Sequence, residues 1–108
     1  MTIKKQRLKS KPEIKITFDI EKKDAQDAVS INLLSEHNQW EPIEFTVLKS
    51  GKFKLAINVS TAEATNFQYI FQATNSDNHQ FMLLPEDADG HTDNGMGDGG
   101  QNAIMELS

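Results

Sequence analysis

The chain has 108 residues, 37% of them hydrophobic, which fits one domain with one modest core and leaves little for a deep catalytic cleft besides. It contains no cysteine, which excludes a disulfide framework and a thiolate zinc site. The net charge of −5 is unevenly spread, with Lys4, Lys5, Arg7, Lys9 and Lys11 near the start and Glu86, Asp87, Asp89, Asp93 and Asp98 near the end.

Residues 1–12 read as a flexible basic tail, and residues 13–108 as the folded domain. The basic residues are not interleaved with aromatic ones, and the remainder of the chain is acidic and repels phosphate, so no nucleic-acid partner is expected. The start lacks the apolar centre of a secretory signal, and no segment is long and apolar enough to span a bilayer. The expectation is a soluble, cytoplasmic protein with no membrane partner.

From Glu13 to Glu21, Ile14, Ile16, Phe18 and Ile20 alternate with polar residues, the period of two that marks a strand with one buried face. After a polar turn at Lys22 to Asp27, Val29, Ile31 and Leu33 repeat the pattern. Ser35 to Pro42 interrupts it and carries Trp40. Ile43 to Leu48 and Lys52 to Val59 then form a hairpin that turns at Gly51. Phe67, Tyr69 and Phe71 mark a fifth strand. Gln80 to Leu84 follows a polar turn at Asn75 to Asn78 as the second arm of another hairpin, closed by Pro85. Glu86 to Gln101 reads as a long Gly-, Asp- and Asn-rich loop, and Ala103 to Leu107 as a last strand that returns to pair with an earlier one. These signals predict an all-β, immunoglobulin-like antiparallel β-sandwich of about seven strands.

Several short segments in register resemble the glycogen-binding, or family 48, carbohydrate-binding modules. His37-Asn38-Gln39-Trp40 is similar to that family's Phe-Asn-x-Trp, and Ser50-Gly51-Lys52-Phe53 to its Asp-Gly-x-Trp/Phe hairpin. Phe67-Gln68-Tyr69-Ile70-Phe71 is similar to its Tyr-x-Tyr-Lys-Phe strand. Gly97 and Asn102 to Leu107 resemble its closing Gly-x-x-Asn-Ser-Val-Val-x-Val, with one extra residue in the glycine loop. Such modules precede the catalytic barrels of isoamylases and branching enzymes and also occur in the β-subunit of AMP-activated protein kinase.

The resemblance implies a non-catalytic domain that binds glycogen, starch or maltooligosaccharide, beside a glycogen-metabolising enzyme as a further partner. Carried over by position, Trp40 matches the family's first glucan-stacking aromatic, Phe81 the second, Ile70 its lysine and Asn102 its sugar-binding asparagine. Ile70 departs in lacking a charge, Phe81 in offering a smaller ring, and His37 in replacing a phenylalanine. An alternative reading from the same departures is a protein-interaction or regulatory subunit whose sugar site has decayed.

Other chemistry is thinly represented. Asp87, Asp89, Asp93 and Asp98 are hard oxygen donors, but an EF-hand counted from Asp87 puts Thr92 where glycine is required, so no metal site is expected. Gly95, Gly97, Gly99 and Gly100 precede no helix that could point its amides at a phosphate. His37, His79 and His91 are isolated, and no nucleophile turn is recognisable, so neither an enzyme activity nor a cofactor is expected.

Overall fold

The computed structural model describes residues 2–62, 65–85, 88–93, 95, 97 and 100–107. Among these, ten strands form two antiparallel sheets packed as a sandwich. The four-stranded sheet runs β1-β2-β6-β5, with β1 at Thr2–Arg7, β2 at Glu13–Ile20, β5 at Thr46–Val47 and β6 at Phe53–Ser60. The six-stranded sheet runs β4-β3-β7-β10-β9, with β8 also paired to β7. Its strands are β3 at Ala28–Ser35, β4 at Ile43–Glu44, β7 at Asn66–Asn75, β8 at Gln80–Leu83, β9 at Gly90–Asp93 and β10 at Gln101–Glu106.

The period-two segments bury the residues expected. Ile14, Ile16, Phe18 and Ile20 of β2 face Ile31 and Leu33 of β3 and Phe67, Tyr69, Phe71 and Ala73 of β7 across one buried cluster. Phe18 sits at its centre, 5.6 Å from both Tyr69 and Phe71, with Phe45 meeting Phe71 edge-on at 5.5 Å. Edge-to-face contacts of this kind add about 0.5–1.5 kcal/mol each beyond the area they bury.

The segment expected as a flexible tail is instead strand β1, paired with β2 from Thr2↔Asp19 to Arg7↔Ile14. Its inward side is basic: Lys5 bonds Asp89 and donates to Glu106 O at 2.9 Å, and Arg7 Nη2 donates to Leu107 O at 3.2 Å. Cations at a sandwich margin thus satisfy the carbonyls where β10 ends, and no apolar alternation advertises the strand.

Three further departures from a seven-strand plan have local causes. A register shift between Ala28 and Ser30 inserts one extra residue on β3, so Val29 turns outward and stands 57% exposed. Ile43–Glu44 pairs with β3 while Thr46–Val47 pairs with β6, so the expected single strand changes sheets at Phe45. Phe45 N–H donates to Ile31 O at 2.9 Å, and its ring is buried between the layers. Within the Gly-rich stretch, Gly90–Asp93 forms β9 as the edge strand beside β10, where the expectation was loop throughout.

The two hairpins close as expected. Gly51 adopts φ +88 in the β5–β6 turn, and a Cβ there would lie 2.8 Å from Lys22 Cδ, so both backbone and space call for glycine. In the β7–β8 turn, Asn75 Oδ1 accepts from both Asp77 N and His79 N at 3.0 Å.

Candidate functional site

Strand β7 organises the site because its two faces have opposite character. Phe67, Tyr69, Phe71 and Ala73 point into the core, so Gln68, Ile70, Gln72 and Thr74 are set on the outer face. Pairing carries this alternation to the neighbours. Leu34 of β3 lies opposite Ile70, and Asn32 opposite Gln72. On the other side Ala103↔Tyr69 fixes the register, so Asn102 falls beside Ile70, with Thr92 of β9 opposite it. The result is a cross-strand row of Leu34, Ile70, Asn102 and Thr92, flanked by a row of Asn32, Gln72 and Met82.

Asn102 is nearly buried, at 8% exposure, and its Nδ2 donates to Gln68 Oε1 at 3.1 Å. The amides of β7 and β10 are therefore locked to each other, leaving the Asn102 Oδ1 oriented by that bond. The centre of this face holds no charged side chain. Glu44, opposite Asn32, Glu106, opposite Asn66, and Glu36, whose Oε1 accepts from the Gln68 amide, stand at its margins.

Trp40 is presented by the turn that follows β3. Ser35 caps a short 3-10 turn at Glu36–Asn38, its Oγ accepting from His37 N at 3.3 Å and contacting His37 Nδ1. Gln39 and Trp40 both take left-handed φ, 64° and 66°, and Trp40 N–H donates to Ser35 O at 2.8 Å. Two successive non-glycine residues in that region cost roughly 1–3 kcal/mol each, a strain the surroundings must hold. They do so through Glu36 Oε1, which accepts from Gln68 N at 3.1 Å, and through His37, whose ring packs 5.2 Å from Phe67. Burial against that ring lowers the His37 pKa, because the charged imidazolium loses solvation there. Held this way, Trp40 is 40% exposed in the turn that follows β3.

The structure sets Ile70 and Asn102 side by side on the outer face of the six-stranded sheet, leaves Trp40 exposed in the turn after β3, and turns Phe81 to the opposite face of β8. Phe81 pairs with buried Ala73 and packs against the core, while the outward position on β8 belongs to Met82, 53% exposed. The expectation of Phe81 as a second exposed aromatic is corrected for this reason. The small side chain of Ala73 opposite leaves room for the ring, and Leu83, two residues on, is buried on the same side. The amides of Asn32, Gln68 and Gln72 were not singled out from the sequence. Their signal was present in β7, where every outward residue between Gln68 and Thr74 is polar or aliphatic and none is charged.

The acidic stretch is put to structural use where it is described. Asp89 accepts from Glu106 N at 2.8 Å as well as from Lys5. Desolvation raises its pKa, but the hydrogen bonds from Lys5 and from the Glu106 amide outweigh it, so the net shift is downward. Asp93 Oδ1 accepts from Gly95 N at 2.7 Å, and His91 Nε2–H donates to Pro85 O at 2.8 Å, folding this segment back beside β10. Asp87 and Asp98, and Gly99 in the glycine run, lie outside the described residues. Among the described residues no three His, Cys, Asp or Glu side chains gather as a metal site would require, and no helix is long and apolar enough to cross a membrane. No family model matches the chain, and no curated protein is significantly similar to it.

Proposed function

We propose that the chain is a non-catalytic module that binds α-glucan on the outer face of the six-stranded sheet. The observation that carries this reading is the neutral surface around Asn102, Gln68 and Gln72 in a chain that is 25% charged. Glucose offers many hydroxyls and a flat apolar ring face but no charge. Oriented amides supply both a donor and an acceptor to hydroxyls, and an exposed indole supplies the stacking surface. Trp40 is exposed in the turn that follows Ser35, and aliphatic Leu34 and Ile70 continue the row from Asn102.

A shallow face with one exposed aromatic implies weak binding, with a Kd on the order of 0.1–1 mM. The test is titration with maltoheptaose while mapping amide chemical shifts, with glycogen as a second ligand. Shifts concentrated at Trp40, Gln68, Ile70 and Asn102 support the reading; a silent spectrum at 10-fold excess over the weaker of those constants removes it. A parallel assay of the sugar by chromatography is expected to find it unhydrolysed. A glycogen-metabolising enzyme fits as a companion, since a module of this kind acts by holding an enzyme near its polymer.

Exposed Met82 and Leu84, at 53% and 37%, favour a second reading in which the same face docks a protein. Retention of a purified partner enzyme in excess glycogen separates the two, because a shared site makes the ligands compete.

A further inference from the structure

The charge of the chain is sorted between its two layers. All eleven Lys and Arg residues lie between Lys4 and Lys54, and residues 55–108 contain none. Folding places each of them in the four-stranded sheet or in a turn that leaves it, and the strands of the six-stranded sheet have no cation at all. The layer opposite the neutral face is therefore basic. Its outermost strand is β1, which has β2 on one side and no strand on the other among the described residues.

We infer that β1 is a docking edge for an extended acidic peptide, which joins the four-stranded sheet as an additional strand. The free edge of β1 presents alternate main-chain N–H and C=O groups, a ladder that only another polypeptide backbone matches. The side chains add the charge preference. Lys5 and Arg7 face inward and are occupied by Asp89, Glu106 O and Leu107 O, which anchors the strand from within. Lys4 and Lys15 face outward and are exposed. Lys4 lies opposite Thr17 and Gln6 opposite Lys15, so the two lysines are diagonal neighbours, ~7–8 Å apart. A strand added ~4.8 Å beyond β1 sets its outer-face side chains directly beside Lys4, where glutamate is attracted and lysine repelled. That repulsion also opposes pairing of β1 with β1 of a second copy. The outer-face side chains of β1 and of the β2 residues paired with it include no aromatic ring on which a nucleic-acid base could stack.

The test uses the full chain and an eight-residue peptide alternating Glu with Val, compared with the same peptide carrying Gln for Glu. Amide shift mapping at 50 mM salt is expected to move Ile3 to Gln6 and Lys15 to Thr17, with at least 10-fold weaker binding for the Gln peptide and for K4E/K15E. Both lysines are exposed, so the double variant keeps the fold, which its amide spectrum verifies. Raising salt to 300 mM is expected to weaken the peptide further, whereas maltoheptaose shifts remain the same in the variant. The inference is overturned if the Gln peptide binds equally, if K4E/K15E binds unchanged, or if shifts fall away from β1. It is overturned equally if oligo-dT or phosphatidylserine vesicles bind and the acidic peptide does not, or if sedimentation shows the chain dimerising through this edge.

Discussion

Replacing Trp40 by alanine isolates the stacking contribution, and its size follows from exposure. A tryptophan offers ~250 Å² when fully exposed, so 40% exposure leaves about 100 Å² available to a sugar. A pyranose covering half of it removes about 50 Å² from water, or about 1.3 kcal/mol at 25 cal/mol per Å². That corresponds to roughly tenfold in affinity and moves a Kd of about 0.1–1 mM to about 1–10 mM. The buried remainder of the ring also supports its turn, so Trp40→Ala is expected to lose up to about 3 kcal/mol of stability. Binding is therefore measured at 10 °C by amide shifts of Gln68 and Asn102, after the variant's spectrum shows a folded sheet. Trp40→Phe serves as the companion, keeping most of the packing and losing only about two- to threefold in affinity. A folded Trp40→Ala chain that binds maltoheptaose within twofold of the parent refutes the stacking argument.

Ile70→Lys places a cation at a half-buried position beside Asn102, and a charge-assisted hydrogen bond to a glucan hydroxyl is expected to tighten maltoheptaose binding about three- to tenfold by calorimetry. Phe81→Ala is expected to cost about 2–3 kcal/mol in urea denaturation with no change in glucan affinity, since the ring packs on the core; a selective loss of affinity contradicts that placement. The Asp89 carboxylate is favoured in the folded state, so its stabilising contribution is present above the 3.8 of a free aspartate and is lost as pH falls through its lower folded value. Asp89→Asn is accordingly expected to lower stability by no more than about 1 kcal/mol at pH 7 and to narrow its difference from the parent below about pH 4, read from thermal melts across pH.

Legibility followed the range of each signal. In β2 and β7 the alternation of apolar and polar residues is carried by the segment itself, and the buried faces of Ile14 to Ile20 and Phe67 to Ala73 agree with it. Phe81 enters as a candidate through the resemblance alone, because with Met82 and Leu83 beside it the segment is apolar on both sides; only pairing with Ala73 decides which side meets the core. Asn102 was visible as a candidate, but the bond that orients it comes from Gln68, thirty-four positions earlier. Strand β1 was missed because its inward residues Lys5 and Arg7 are satisfied by carbonyls at the far end of the chain.

The sequence by itself determined a two-layer antiparallel domain, because strand periodicity and turn residues such as Gly51 act through neighbouring bonds and through the burial of every second side chain. Only the tertiary structure decided that the strand switches sheets at Phe45, that Val29 turns outward at a bulge, and that the cations gather on one layer while neutral amides gather on the other. Those outcomes depend on which strands become partners and in what register. Register is set cooperatively by contacts between segments distant in the chain, so no single segment contains it.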